Sequence, residues 1–180
     1  MRLDQAEDLA RFVEELKQET DRGLPLVGAA LIDEKLLETL QSFFCNDKSS
    51  GKLLTNGNAP LGTFSSRIEA CFALGLIDEF EYKEISLIRK VRNKFAHAKH
   101  GISFQTEEVR GLCSTLEADV PEGDGNTTNN SRLRFTYAVV GLALRLYYRP
   151  EWVAKERREP KVWVTVDEFS WHQINNAKLP

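Results

Sequence analysis

Apolar residues recur at three- and four-residue intervals along most of the 180-residue chain, the spacing of helices that each bury one stripe. Residues 4–20 set Ala6, Leu9, Val13 and Leu16 on one face and Glu7, Glu14, Glu15 and Lys17 on the other, and Gly23 marks the end of this helix. From Pro25, at a position where a first helical turn tolerates proline, the chain to Phe44 is apolar on more than one side, through Val27, Leu31, Leu36, Leu40 and Phe43. This second helix is expected at the centre. Residues 46–61 collect Gly, Ser, Asn and Pro without periodicity and read as a long loop, a class that often carries function. A third helix, over 63–74, turns Phe64, Ile68, Cys71 and Phe72 inward and stops at Gly75. Asp78 and Glu81 form a capping-box pattern opening a fourth helix, with Ile85, Ile88, Val91 and Phe95 inward and Gly101 closing it. A fifth covers 106–118 through Val109, Leu112, Cys113 and Leu116; after a polar loop over 121–131, a sixth covers 133–148 and is apolar nearly all round.

The pattern changes after Pro150. Trp152, Trp163 and Trp171 are all the tryptophans of the chain, and residues 161–166, KVWVTV, favour an extended strand. One short strand has to pair, pack across the bundle or join a partner chain. The segment is therefore either an arm that covers exposed core or a partner-binding or dimerisation arm anchored by Trp152 and Trp163. Together the patterns predict an all-α fold: a bundle of about six helices over residues 1–149 and a short extended C-terminal arm over 150–180, without internal repeats.

Composition narrows the class. Hydrophobic residues at 42% and charged residues at 28% are ordinary for a soluble globular protein. A net charge of −3 and a pI near 5.7 argue against a broad cationic surface for nucleic acid but leave room for a local basic patch. Cys45, Cys71 and Cys113 are odd in number and lack CxxC spacing, which argues against a disulfide framework or a zinc site; Cys71 and Cys113 fall on apolar faces as small hydrophobes. The acidic, periodic N-terminus is unlike a signal or transit peptide, and the apolar run 135–144 is too short to span a bilayer. The chain is accordingly expected in the cytoplasm, with no glycan on Asn126 or Asn129.

Residues 88–100, IRKVRNKFAHAKH, hold two of the three histidines and five Lys/Arg with no acidic residue. Arg92, Asn93 and His97 are residue types able to grip a phosphate, orient a proton donor and move a proton near neutral pH. Arg89, Lys90, Lys94, Lys99 and His100 would extend the patch as a binding surface. On an ideal helix, however, Arg92 and His97 lie about 140° apart, whereas Arg89, Asn93, His97 and His100 follow one stripe. Convergence of Arg92 and His97 requires a helix that loosens near Ala96, or a two-fold dimer that pools facing copies. The same cations also suit a helix C-terminus, at about 0.3–1 kcal/mol each through the macrodipole. Arg92 has a further option in pairing with Glu69 or Glu84. No metal or other cofactor is expected, since His97 and His100 supply two ligands at most.

Residues 59–97 carry a specific combination: Pro60–Leu61–Gly62 before a helix, Arg67 at the start of an apolar helix, the Leu74–Gly75–Leu76–Ile77 turn, Glu81–Tyr82, and Arg92 with His97 at a helix end. In these features the segment resembles the core of the mannitol operon repressor family of bacterial all-helical regulators. The resemblance implies regulation through a protein partner, by way of a helical face, the long loop or the Trp-bearing arm. No helix-turn-helix with side chains suited to read base edges is evident. The Arg92–His97 string also resembles the Arg-x4-His motif of HEPN domains. That likeness implies a metal-independent ribonuclease working in a homodimer cleft, with His97 as acid or base on the ribose 2′-hydroxyl or leaving oxygen, Arg92 stabilising the phosphoryl group and Asn93 orienting either. Two functions are thus open: a regulatory module that binds a protein, and a dimeric enzyme that cleaves RNA.

Overall fold

A computed structural model describes residues 3–117 and 130–163, with side chains from Ala6 onward. The described residues form an all-α bundle in which α2 (Gly23–Phe43) and α7 (Ser131–Tyr147) are the central pair. Around them pack α1 (Leu3–Gln18), α4 (Phe64–Ala73), α5 (Glu79–His97) and α6 (Glu107–Ser114). Leu24, Ile32, Leu36 and Leu40 of α2 and Phe135, Val139 and Leu146 of α7 are fully buried, as the many-sided apolar pattern of both segments requires. The two helices approach closely at Gly28, where a Cβ would stand 3.0–3.1 Å from the methyl groups of Val139.

Local sequence sets the helix ends. Thr63 and Ser66 form a reciprocal capping box on α4, and Asp78 and Glu81 form another on α5. The α4–α5 corner is a Schellman turn: Gly75 N–H donates to Phe72 O at 3.0 Å and Leu76 N–H to Cys71 O at 2.8 Å, with Gly75 at φ +70°. Leu76 and Ile77 then enter the core. Arg67 holds the turn that precedes α4. Its Nε donates to Leu61 O at 3.1 Å and its Nη1 to Asp33 Oδ1 at 2.9 Å, tying the preceding turn to α2.

Four expectations need correction. Residues 46–61 are not wholly loop, because Asp47 caps Ser50 N at 2.8 Å and opens α3 (Lys48–Leu54), which buries Leu54. The fifth predicted helix ends at Ser114 rather than 118, although Leu116 still reaches the core. Phe72 is 41% exposed instead of inward; it stacks on Tyr82 with ring centroids 4.4 Å apart. After Tyr147 the chain is not extended at once: α8 (Arg149–Val153) and a 3₁₀ turn at Ala154–Glu156 lie along α2. The Arg157 and Arg158 backbones follow there, with Arg158 N–H donating to Phe43 O at 2.8 Å. Residues 161–163 have no regular structure, while the rest of the expected strand, Trp171 and the loop 118–129 lie outside the described residues. No helix among the described residues is long and apolar enough to cross a membrane.

Candidate functional site

The basic segment forms about the last three turns of α5 and the residues that follow. Ile85, Ile88, Val91 and Phe95 are fully buried, as are Glu81 and Glu84 nearer the start of the helix, so in its basic half the positions between them face outward or lie half-buried. Lys90, Arg92, Lys94, His97, Lys99 and His100 are exposed, and Arg89 and Asn93 are half-buried. The helix stays regular to its end: Ala98 N–H donates to Lys94 O at 3.1 Å, a four-residue helical bond. The loosening near Ala96 that would swing Arg92 toward His97 within one subunit is therefore absent.

Arg92 Nη1 donates to Asn93 Oδ1 at 3.1 Å, and Glu69 instead accepts from the Tyr82 hydroxyl at 3.1 Å. That hydrogen bond and the nearby Glu69 charge raise the Tyr82 phenol above its ordinary pKa. Lys94 pairs with Glu108 of α6, which lowers the Glu108 carboxyl, first through the hydrogen bond and then through the lysine charge. Both partners of this bridge are about half or more exposed, so it adds little stability. Lys90, His97, Lys99 and His100 have no carboxylate partner among the described residues.

Two carbonyls at this helix end are bonded from elsewhere. Arg22, in the α1–α2 corner, donates from Nη2 to Ala98 O and, at 3.3 Å, to Phe95 O. Nothing in the sequence reveals this role, because the partners lie 73 and 76 positions away. The histidines are consequently not occupied as terminal caps.

Upstream on the same helix, a groove of about 510 Å³ runs beside Arg89 and Lys90. Phe80, Tyr82 and Leu87 give it apolar walls, and Glu69, Lys83 and Glu117 bring charge of both signs. Phe80 and Leu87 escape the sequence reading, although their seven-residue separation, off the buried stripe, is a legible sign of a second apolar face. Trp152 and Trp163 are 66% and 77% exposed; Lys155 Nζ sits 4.1 Å above the Trp152 ring. They lie on the C-terminal segment rather than in the groove lining.

No group of three or more His, Cys, Asp or Glu side chains gathers as a metal site among the described residues. Burial pushes the Cys71 and Cys113 thiols up to about 12, leaving them protonated near neutral pH. An α-helical bundle that offers solvent a groove and a cationic helix end, with its buried thiols held neutral, has the build of a binding scaffold. The chain belongs to the mannitol repressor (MtlR) family, whose pattern matches residues 8–131.

The mannitol operon repressors of Escherichia coli K12 and of E. coli O6:H1 are each 29% identical to the chain over 96 residues, which is 51% of this chain and 49% of theirs. The chain thus spans about half the length of the curated relatives it matches. The fold is also similar to that in the X-ray structure of the MtlR–HPr complex from E. coli, with a TM-score of 0.53, 23% identity, and coverage of 81% of this chain and 98% of that one.

Proposed function

We propose that this protein is a regulator that works by docking another protein, not by reading DNA bases or by turnover. The observation that carries this reading is the end of α5, where Lys90, Arg92, Lys99, His97 and His100 face solvent and none is held by a carboxylate among the described residues. Five Lys/Arg lie within residues 89–100 of a chain whose net charge is −3. Such a polarised patch attracts an acidic face of a partner and speeds encounter. Arg89 and Lys90 join it to the groove, whose Phe80 and Leu87 walls can receive an apolar side chain. Trp152 and Trp163 offer further aromatic contact on the C-terminal segment. Membership of the mannitol repressor family supports a regulatory role, and the MtlR–HPr complex makes HPr the first partner to test.

The test is titration of HPr into the purified protein by calorimetry, at low and high salt. Binding should weaken as salt rises and fall about tenfold or more in Lys90→Glu/Arg92→Glu, the effect of reversing charges at a docking face. Binding that ignores both changes overturns the assignment of this surface. Incubation with mixed RNA in EDTA, beside His97→Ala, is the parallel control: cleavage lost in the variant would replace the docking reading by a dimeric ribonuclease.

A further inference from the structure

A cleft of about 690 Å³, lined by none of the α5 residues, lies between α6 and the start of α7. We infer that it binds a phosphate group, as the free ion or as the monoester of a small polar molecule, through Arg110 and Arg134. Among the described residues no apolar side chain lines it; the walls also carry Gln105, Ser131 and one carboxylate, Glu107. The half-buried Arg67, Arg132 and Arg149 are neutralised by Asp33, Asp21 and Glu81. Half-buried Arg134 has no such partner among the described residues: its Nη1 donates to Ser114 O at 3.3 Å, and its Nε, shielded from solvent, meets no acceptor there. Arg110 has no side-chain acceptor among the described residues. A partly desolvated guanidinium without a counter-charge is costly, and an oxyanion between the two arginines would offset that cost with charge-assisted hydrogen bonds.

Two further features fit. Ser131 opens a 17-residue helix, so the positive end of the α7 dipole adds to the field in the cleft. Gly111 forms part of the lining, and a Cβ there would meet nothing within 4 Å. The space that a side chain would fill is left open beside Arg110. Glu107, the single carboxylate among the described lining residues, does not cancel two guanidinium charges. The cleft is large enough to take more than phosphate alone, which admits a polar ester group beside Gln105.

The experiment is thermal unfolding and calorimetric titration of the 180-residue chain with inorganic phosphate, glycerol phosphate and sodium chloride at matched ionic strength. Phosphate should give saturable stabilisation beyond that of chloride. Arg110→Gln should weaken it about tenfold or more, the usual effect of losing a charge-assisted hydrogen bond. Gly111→Leu should block it by filling the cleft, while removing no contact and keeping a good helix former on α6. Lys90→Ala/Arg92→Ala should leave it intact, which separates this site from the docking face. Tighter binding of glycerol phosphate than of phosphate assigns the monoester; equal binding assigns the free ion. Phosphate and chloride acting alike, or a phosphate response unchanged in both Arg110→Gln and Gly111→Leu, overturns the site.

Discussion

Arg149 grips Glu81 with both terminal nitrogens, Nη2 to Oε1 at 2.6 Å and Nη1 to Oε2 at 3.1 Å, although the two residues are 68 positions apart. Glu81 is fully buried and its Oε2 also accepts from Asp78 N–H at 3.0 Å, while Arg149 Nη1 reaches Leu76 O as well. One carboxylate therefore caps α5 and fastens the start of α8 to the α4–α5 corner. Arg149→Met leaves a buried charge without its counter-ion and should cost about 3 kcal/mol, the lower end for breaking such a pair because the capping bond survives. Urea denaturation checks this, and a loss below about 1 kcal/mol would show that the pair is not a fastening.

At Gly75 the backbone sits at φ +70° in open space, with nothing within 4 Å of an added Cβ. Gly75→Ala should therefore cost about 1–2 kcal/mol from backbone conformation alone. Thermal unfolding should show the midpoint falling by about 2–4 °C for each kcal/mol lost.

The cap on α5 and the charges around it separate in mutagenesis. Arg22→Ala should destabilise by about 1 kcal/mol, because carbonyls at the helix end lose a charged donor. Lys90→Ala, Arg92→Ala and Lys99→Ala should each stay within about 0.5 kcal/mol. Equilibrium unfolding of the four variants decides; equal losses would return the basic residues to a structural role.

Alkaline pH should loosen the bundle. Burial lifts the Cys71 and Cys113 thiols from an ordinary value of 9.0 to about 12, and burial, then the Asp8 hydrogen bond, lift the Tyr147 phenol from 10.0 to about 12. Each group keeps its proton longer when folded, so its contribution is fully present below the unfolded value and is lost as pH rises from about 9 toward 12. Melting temperatures measured from pH 8 to 11 should fall across that window. In native protein at pH 8 a thiol reagent should label Cys45 first, since it is only half-buried, and all three cysteines only after denaturation.

The sequence makes the bundle legible where burial follows a single helical stripe, as at Ile85, Ile88, Val91 and Phe95, and where a cap is local, as at Asp78 and Glu81. It conceals contacts made by long side chains across the fold. Arg67, Glu81 and Tyr82 stand out in the family resemblance, yet their roles as clamp, fastening and stacking partner depend on Leu61, Asp33, Arg149 and Phe72 being folded beside them. The basic segment is visible as charge. Its geometry is not, since helical regularity at Ala96 and closure by Arg22 are tertiary outcomes.

Closure of α5 by Arg22, a residue more than seventy positions earlier in the chain, divides the labour at that corner. Arg22 holds the helix end, and of the outward basic side chains of residues 89–100 only Lys94 is tied to another helix, through Glu108, among the described residues. Recognition at this corner can be retuned, one charge at a time, on a frame that stays put.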